Sequence, residues 1–331
     1  MLRLPWFDYR APRSVAEAAK ILAGEGPAAM LVAGGTDLLP NMKRKHQTPK
    51  VLVSLKGISA LRHLNGSFGS GLTLTELAHS PKTPTALRQA AAQVATPLLR
   101  NMATLGGNLC LDTRCTYYNQ NYEWRQAIGF CLKKDGDICW VATASKRCVA
   151  VSSTDTAPAL IALNASVLLE GAAGSREIPV EALYKNDGIE YLSRKPDEIL
   201  TEVKIPSGWK STYWKLRRRG SFDFPILGVA VALKFSGDVI ENARVALGAS
   251  ASRPFLVDKA SEYLKGKKLT DDVIAEASRL VANRAKPMDN TDMDLYWRKE
   301  VADDFAGYAL RELRGDDMRT IRQRIARYLP G

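Results

Sequence analysis

Apolar positions follow two rhythms along the chain. Near the start, Val15, Ala18, Ala19 and Leu22 fall on one helical face. Ser14-Val15-Ala16-Glu17 has the Ser-x-x-Glu form of a capping box, which predicts a helix ended by Gly24 and Gly26-Pro27. Residues 29–33 are a continuous apolar run of strand type, closed by Gly34-Gly35. Thr36 and Asp37 then carry polar side chains suited to capping a helix from Leu38, and Pro40 keeps that helix short. Residues 51–54 read as a second strand, so the opening predicts a small β-α-β unit.

Beyond it, residues 71–74 and 166–169 are strand-like, 86–94 form an Ala/Gln-rich helix, and 156–163 form an apolar helix. Strands are expected at 199–205, 213–217, 227–235 and 243–249, and helices at 271–284 and 295–313. Pro206-Ser207-Gly208 is the best internal boundary. The pattern predicts an α+β chain in two parts, 1–207 and 208–331, not one long alternating α/β sheet. The first part splits into subdomains of about 1–57 and 58–207, and the second carries an antiparallel sheet and a helical tail.

Composition narrows the class. Of 331 residues, 46% are hydrophobic and 25% charged, as in soluble globular proteins. No apolar run approaches the roughly 20 residues of a membrane span, and MLRLPWFDYRAPRS lacks a signal-peptide core, so a cytoplasmic, membrane-free protein is expected. The net charge of +12 first suggests nucleic acid. However, the basic residues are scattered and accompany no aromatic-interleaved patch, so no nucleic-acid partner is expected. A phosphate-bearing cofactor or an acidic partner fits the charge equally well.

Cysteine placement changes the picture most. All five cysteines lie between Cys110 and Cys148. Ordinary buried cysteines would be dispersed, and a disulfide framework does not suit a cytoplasmic chain of this size. Clustering points to metal or redox work. The stretch has no hydrophobic periodicity to offset its ordering entropy, so something must tie it down. The spacing is Cys115-x15-Cys131-x7-Cys139-x8-Cys148, without the close C-x2-C pairs of most zinc sites. Thiolates from separate loops suit a [4Fe–4S] cube. Spacing alone leaves zinc open beside it. His46, His63 and His79 stand in no ligand or triad setting and read as surface or hydrogen-bonded structure.

Two glycine turns carry the remaining chemistry. Glycine lets backbone N–H groups approach a phosphate closely, and a following helix adds a favourable dipole. Leu31-Val32-Ala33-Gly34-Gly35-Thr36-Asp37-Leu38 has this strand–turn–helix context, and Thr104-Leu105-Gly106-Gly107-Asn108 is a second such turn. Neither matches a Rossmann fingerprint or a P-loop.

Together these turns resemble the two flavin-contacting loops of the FAD-binding medium subunits of the xanthine dehydrogenase/molybdenum hydroxylase family. The resemblance implies that both turns hold FAD. It also implies that Asp155, before Thr156-Ala157-Pro158-Ala159-Leu160, contacts the flavin side, and that Lys215, opening Lys215-Leu216-Arg217-Arg218, belongs to the same site. Val94 and Leu200 are implied as further flavin contacts. It covers the chain to about residue 250 and implies a two-subdomain FAD-binding domain followed by a domain of the CO dehydrogenase flavoprotein type.

In most of that family a short loop joins the Gly-Gly-Asn turn to the Asp. Here the cysteine-bearing stretch, about 111–150, is inserted between Asn108 and Asp155. The segment from Gly106 to Gln120 resembles the flavin subunit of the 4-hydroxybenzoyl-CoA reductase branch, whose inserted loop carries an additional [4Fe–4S] cluster. The resemblance implies Cys115, Cys131, Cys139 and Cys148 as ligands and leaves Cys110 as a small buried side chain. Arg114, Lys133, Lys134, Lys146 and Arg147 crowd the ligands, to offset cluster charge or to form a docking face; plain surface charge is the alternative. Trp124, Trp140, Tyr117, Tyr118 and Tyr122 are expected to shield the site.

The implied function is electron transfer within a molybdenum enzyme that reductively dehydroxylates an aromatic CoA thioester. Its partners would be a molybdenum-cofactor large subunit, a small subunit with two [2Fe–2S] clusters, and reduced ferredoxin as donor. One alternative is a flavin subunit of a xanthine, aldehyde or CO dehydrogenase-type hydroxylase using the cluster as electron exit. Another is a zinc-stabilised scaffold without catalysis.

Overall fold

The computed structural model describes residues 3–220 and 222–327. Its first sheet is parallel, in the order β1-β3-β2: β1 is Asp8–Arg10, β2 is Ala29–Val32 and β3 is Val51–Ser54. The helix α1 (Val15–Glu25) buries Ala18, Ala19 and Leu22 against Val51, Val53 and Ile199. Only half of the expected capping box forms. Ser14 accepts from the Glu17 N–H at 3.1 Å, but the Glu17 carboxylate accepts from Arg13 N–H, one residue before the cap. Gly24 does not end the helix; Gly26, at φ +55°, does. The short α2 (Leu38–Lys43) starts where expected.

The second sheet is antiparallel, in the order β4-β7-β5-β6: β4 is Phe68–Gly69, β5 is Ser166–Gly171, β6 is Gly174–Pro179 and β7 is Ile199–Lys204. Between β4 and β5 run α3 (Leu74–His79), α4 (Thr85–Ala92), α5 (Pro97–Arg100), α6 (Leu105–Leu109), α7 (Tyr122–Ala127) and α8 (Thr156–Ala162). The strand expected at 71–74 is replaced by the start of α3. Thr73 and Glu76 form a full reciprocal capping box there, and that local bonding outweighs the strand-like apolar alternation.

The third sheet, β8 (Lys210–Leu216), β9 (Leu227–Ser236), β10 (Val239–Gly248) and β11 (Phe255–Leu256), is antiparallel in chain order. Its two faces serve two cores. Tyr213, Ala230, Ala232 and Ala246 join the core around α8, while Trp214, Val229, Val231, Val245 and Leu247 pack with α9 (Asp258–Leu264), α10 (Asp271–Arg284) and α11 (Leu295–Arg314). Burial on both faces explains why β9 reads as an unbroken apolar run. A last helix, α12, spans Arg319–Arg327. The α+β class with an antiparallel C-terminal sheet is as expected. Strands β1 and β6 and helix α9 went unread because they are short or largely solvent-facing.

Candidate functional site

The two glycine turns meet. A Cβ on Gly34 would lie 2.0 Å from the Met102 carbonyl oxygen, so the first turn is pressed against the backbone leading into the second. Gly35 has φ +71°, which glycine adopts without strain. Thr104 caps α6 by accepting from the Gly107 N–H at 3.1 Å.

Between the turns lies a cavity of about 610 Å³. Leu31, Val32, Ala33, Gly34, Gly35 and Thr36 line it, as do Asp37 and Leu38. Thr104, Gly106, Gly107 and Asn108 form the opposite side, with Val94, Asp155 and Leu200 completing it. Two residues expected in the site stand behind it. Leu105 is fully buried in the core, and Lys215 meets the cavity through the lining residues Asp155 and Asp223.

Asp155 is fully enclosed. It accepts from Tyr213 O–H at 2.8 Å and from Lys215 Nζ at 3.0 Å, while Lys215 also donates to the Gln93 and Asp223 carbonyls. Burial pushes the Asp155 carboxyl up and the Lys215 ammonium down, each opposed by the other's charge. Asn108 is partly structural: its Oδ1 accepts from Thr154 Oγ1, Thr156 N–H and Thr156 Oγ1, which ties the second turn to the start of α8.

The acidic lining residues Asp37, Asp112, Asp155 and Asp223 are matched by Arg114, Lys133, Lys215 and Arg219. Lys56 and Arg194 add positive charge, so the cavity suits an anionic diphosphate. Ser153 lines it too, with its hydroxyl buried and without a partner. In the sequence Ser153 is signalled only by its place two residues before Asp155. Arg194 carries no such signal, since it crosses from the loop before β7.

The cysteine stretch folds against this cavity. Cys115, Cys131, Cys139 and Cys148 are each less than 9% exposed and free of disulfides. Cys115 and Cys148 share an apolar cluster with Tyr118 and Ala150. Burial pushes the Cys148 thiol up to about 11 and also raises Cys115; the charges of neighbouring cysteines add to this, Cys131 and Cys139 at Cys115, Cys139 and Cys115 at Cys148. The Ala150 N–H donates to Cys148 Sγ at 3.4 Å. A Cβ on Gly188 would lie 2.5 Å from that sulfur. Among the described residues, no three His, Cys, Asp or Glu side chains converge closely enough to hold a single metal ion.

The five basic residues divide. Arg114 and Lys133 turn inward; Lys133 bonds Asp112, Thr113 and the Gly188 carbonyl and lies 4.7 Å from the Tyr118 ring centre. Lys146 and Arg147 are exposed and Lys134 pairs with Asp135. Of the aromatics, Tyr117 and Tyr118 pack on the sulfurs, whereas Trp124 and Trp140 are 40% and 38% exposed and Tyr122 packs on Phe130. Those three therefore do not enclose the sulfurs as expected. Cys110 lies apart, on the cavity between the glycine turns and against the main core.

Comparison with known proteins agrees with this geometry. The family model for the FAD binding domain in molybdopterin dehydrogenase matches residues 5–208, and that for the CO dehydrogenase flavoprotein C-terminal domain matches 211–313. The aldehyde oxidoreductase FAD-binding subunit of Escherichia coli is 31% identical, over 85% of this chain and 93% of that one. The carbon monoxide dehydrogenase medium chain of Hydrogenophaga pseudoflava is 26% identical, over 92% and 96%. The solved carbon monoxide dehydrogenase from the same organism superposes with a TM-score of 0.75 at 25% identity, covering 93% of this chain and 97% of that one. The chain belongs to the FAD-binding medium subunits of the molybdenum hydroxylase family.

Proposed function

We propose that this chain is an FAD-carrying electron-transfer subunit with a second redox centre in its cysteine stretch. The chain divides near residues 207 and 208, and its first part holds FAD between the two glycine turns. The observation that carries the flavin assignment is the cavity itself: it is flanked by close-packed glycines, its carboxylates are neutralised, and Ser153 offers an unused hydroxyl. FAD, when bound, supplies exchange between two-electron and one-electron chemistry. The chain's own residues bind and orient it: the first turn brings its backbone to the diphosphate, the second, whose Leu105, Gly106, Gly107 and Asn108 N–H groups are bonded internally, shapes the facing wall, and Tyr213 and Lys215 hold Asp155 at the cavity.

Cys115, Cys131, Cys139 and Cys148 fit a [4Fe–4S] cluster. They are buried and free of disulfides, and their number is that of the thiolates such a cluster takes, one at each iron. The Ala150 N–H and Lys133 stabilise thiolate charge there.

A molybdenum large subunit and a small iron–sulfur subunit are the partners this family membership suggests. The named relatives are dehydrogenase and oxidoreductase subunits, and they favour the direction in which electrons leave the substrate. The reductive direction, on an aromatic CoA thioester with ferredoxin as donor, rests on the segment from Gly106 to Gln120 and on the enclosed cysteines. A cytoplasmic site is part of the proposal; among the described residues no helix is long and apolar enough to cross a membrane.

Purification of the complex without oxygen, followed by assay of iron, acid-labile sulfide, zinc and flavin in this subunit, tests the reading. About four irons and one FAD per chain are expected. Zinc without iron would make the stretch structural, and absence of flavin would overturn the assignment of the cavity. Assay of the complex with aldehydes, purines and aromatic CoA thioesters decides the direction.

A further inference from the structure

A second pocket, of about 320 Å³, opens where the loop before α4 meets the 206–209 boundary. It falls in the size class of small-molecule clefts, about 300–1,000 Å³. Lys82, Thr83, Arg88 and Trp209 line it, and no acidic residue is among its described lining residues. Thr83 is 3% exposed, and its hydroxyl has no hydrogen-bond partner. The Trp209 indole N–H is also buried without a partner. Lys234 lies 4.9 Å from the Trp209 ring centre, adding a third cation at the rim.

The pocket also contains the first residue of α4, Thr85. Pro84, at the cap position, makes no side-chain cap bond; Ser211 Oγ takes the Ala86 N–H, and the positive end of this eight-residue helix meets the pocket at Thr85. An unsatisfied buried donor costs about 1–3 kcal/mol. Two such donors, two cations and a helix N-terminus in one pocket share a single complement, an acceptor-only anion. A phosphate group offers several acceptor oxygens and enough charge to meet them together.

We propose that this pocket binds a phosphate group, either free or carried as the monoester of a small molecule, separately from FAD. The ligand would sit at the joint between the two parts of the chain. Its binding elements are coupled to the sheet behind: the Ala86 N–H donates to Ser211 of β8 at 3.2 Å, and Gln89 of α4 accepts from Thr212 and from the Tyr213 N–H.

The test uses the FAD-loaded complex, so that the flavin cavity is filled. Inorganic phosphate and AMP are titrated separately by calorimetry and by tryptophan fluorescence. Saturable binding is expected, weakened about tenfold by Thr83→Val or Arg88→Gln, the loss equal to about 1.4 kcal/mol. Trp209→Phe is expected to abolish the fluorescence change. Tighter binding of AMP than of phosphate identifies an ester ligand, and the reverse identifies the free ion. Lys82→Gln, at an exposed position, guards against misfolding and should weaken binding while leaving the melting temperature unchanged. Absence of saturable binding by either probe, or equal binding in wild type and all variants, overturns the proposal.

Discussion

Arg114 carries its guanidinium from the residue preceding Cys115 to the carboxylate of Asp37 in the first glycine turn, forming an ion pair in which the Arg114 side chain is 4% exposed. The same guanidinium donates to Asn41 Oδ1 at 3.0 Å, and Asn41 donates back to Asp37. Its carbon lies 4.9 Å from the Phe224 ring centre, and Phe224 lines the flavin-side cavity. Thus Asp37 occupies the cap position of α2 without capping it, because its oxygens are engaged elsewhere. The cysteine stretch and the flavin turn are joined by one side chain.

Removing one partner of a buried pair costs about 3–5 kcal/mol, because the other charge stays desolvated. Asp37→Asn leaves Arg114 in that position, and the partial exposure of Asp37 places the cost near the low end, about 3 kcal/mol. Denaturant titration should register that loss, and dialysis should release flavin faster than from wild type. Unchanged stability and unchanged flavin retention would show that the pair is incidental.

Asp155 and Lys215 make a second, deeper pair, with side chains 3% and 0% exposed. Asp155→Asn strands a buried ammonium and should destabilise by about 3–5 kcal/mol. The double change Asp155→Leu with Lys215→Met removes both charges and should recover much of that loss. It should still leave the flavin spectrum altered, because the carboxylate at the cavity wall is gone. Melting temperature and visible absorbance, measured on the same samples, separate the two roles.

Much of this was legible in the chain and some was not. Gly34-Gly35 and Gly106-Gly107 marked the site, yet the reason for Gly34 is contact with the Met102 backbone as much as access for a ligand. The helices α10 and α11 were readable because their patterns are long, and α8 because its short run is almost wholly apolar. Residues 71–74 misled because a capping box is a local bond, while β-propensity describes a packed surface. The inward turn of Lys133 and the outward position of Trp140 depend on tertiary packing, which no spacing along the chain encodes.

His46 lies beneath the cysteine stretch, stacked on Tyr118 with ring centres 4.1 Å apart, and its Nε2 faces the Gln120 carbonyl at 3.2 Å. Burial, aided by the charge of Arg125, lowers its pKa from 6.5 to about 4. The folded state therefore keeps it neutral where the unfolded state is protonated. Its contribution to stability is complete above pH 6.5 and is lost as pH falls toward about 4. His46→Phe preserves the stack and removes the titration. Unfolding midpoints across that window should fall less steeply with acid in the variant, and identical slopes would refute the assignment.

The cysteine stretch should load iron independently of the flavin. Its base is anchored without any metal: Arg114 and Val151 exchange backbone hydrogen bonds at 2.8 and 2.7 Å, Asn290 bonds the Thr116 N–H and the Val149 carbonyl, and Arg114 holds Asp37. Cys131 and Cys139 lie beyond that base, near Phe130 and Asp135, whose positive φ values mark a tight turn. Cys131→Ser and Cys139→Ser should therefore remove iron while FAD stays bound and the anchored base stays folded. Arg114→Met should do the opposite, weakening flavin retention with iron content reduced less. Iron and flavin assays on these variants, with protease digestion of the 115–148 segment as a folding readout, give a pattern that two separable sites produce. Joint loss of both cofactors from Cys131→Ser would mean that the stretch and the flavin turn fold as one unit.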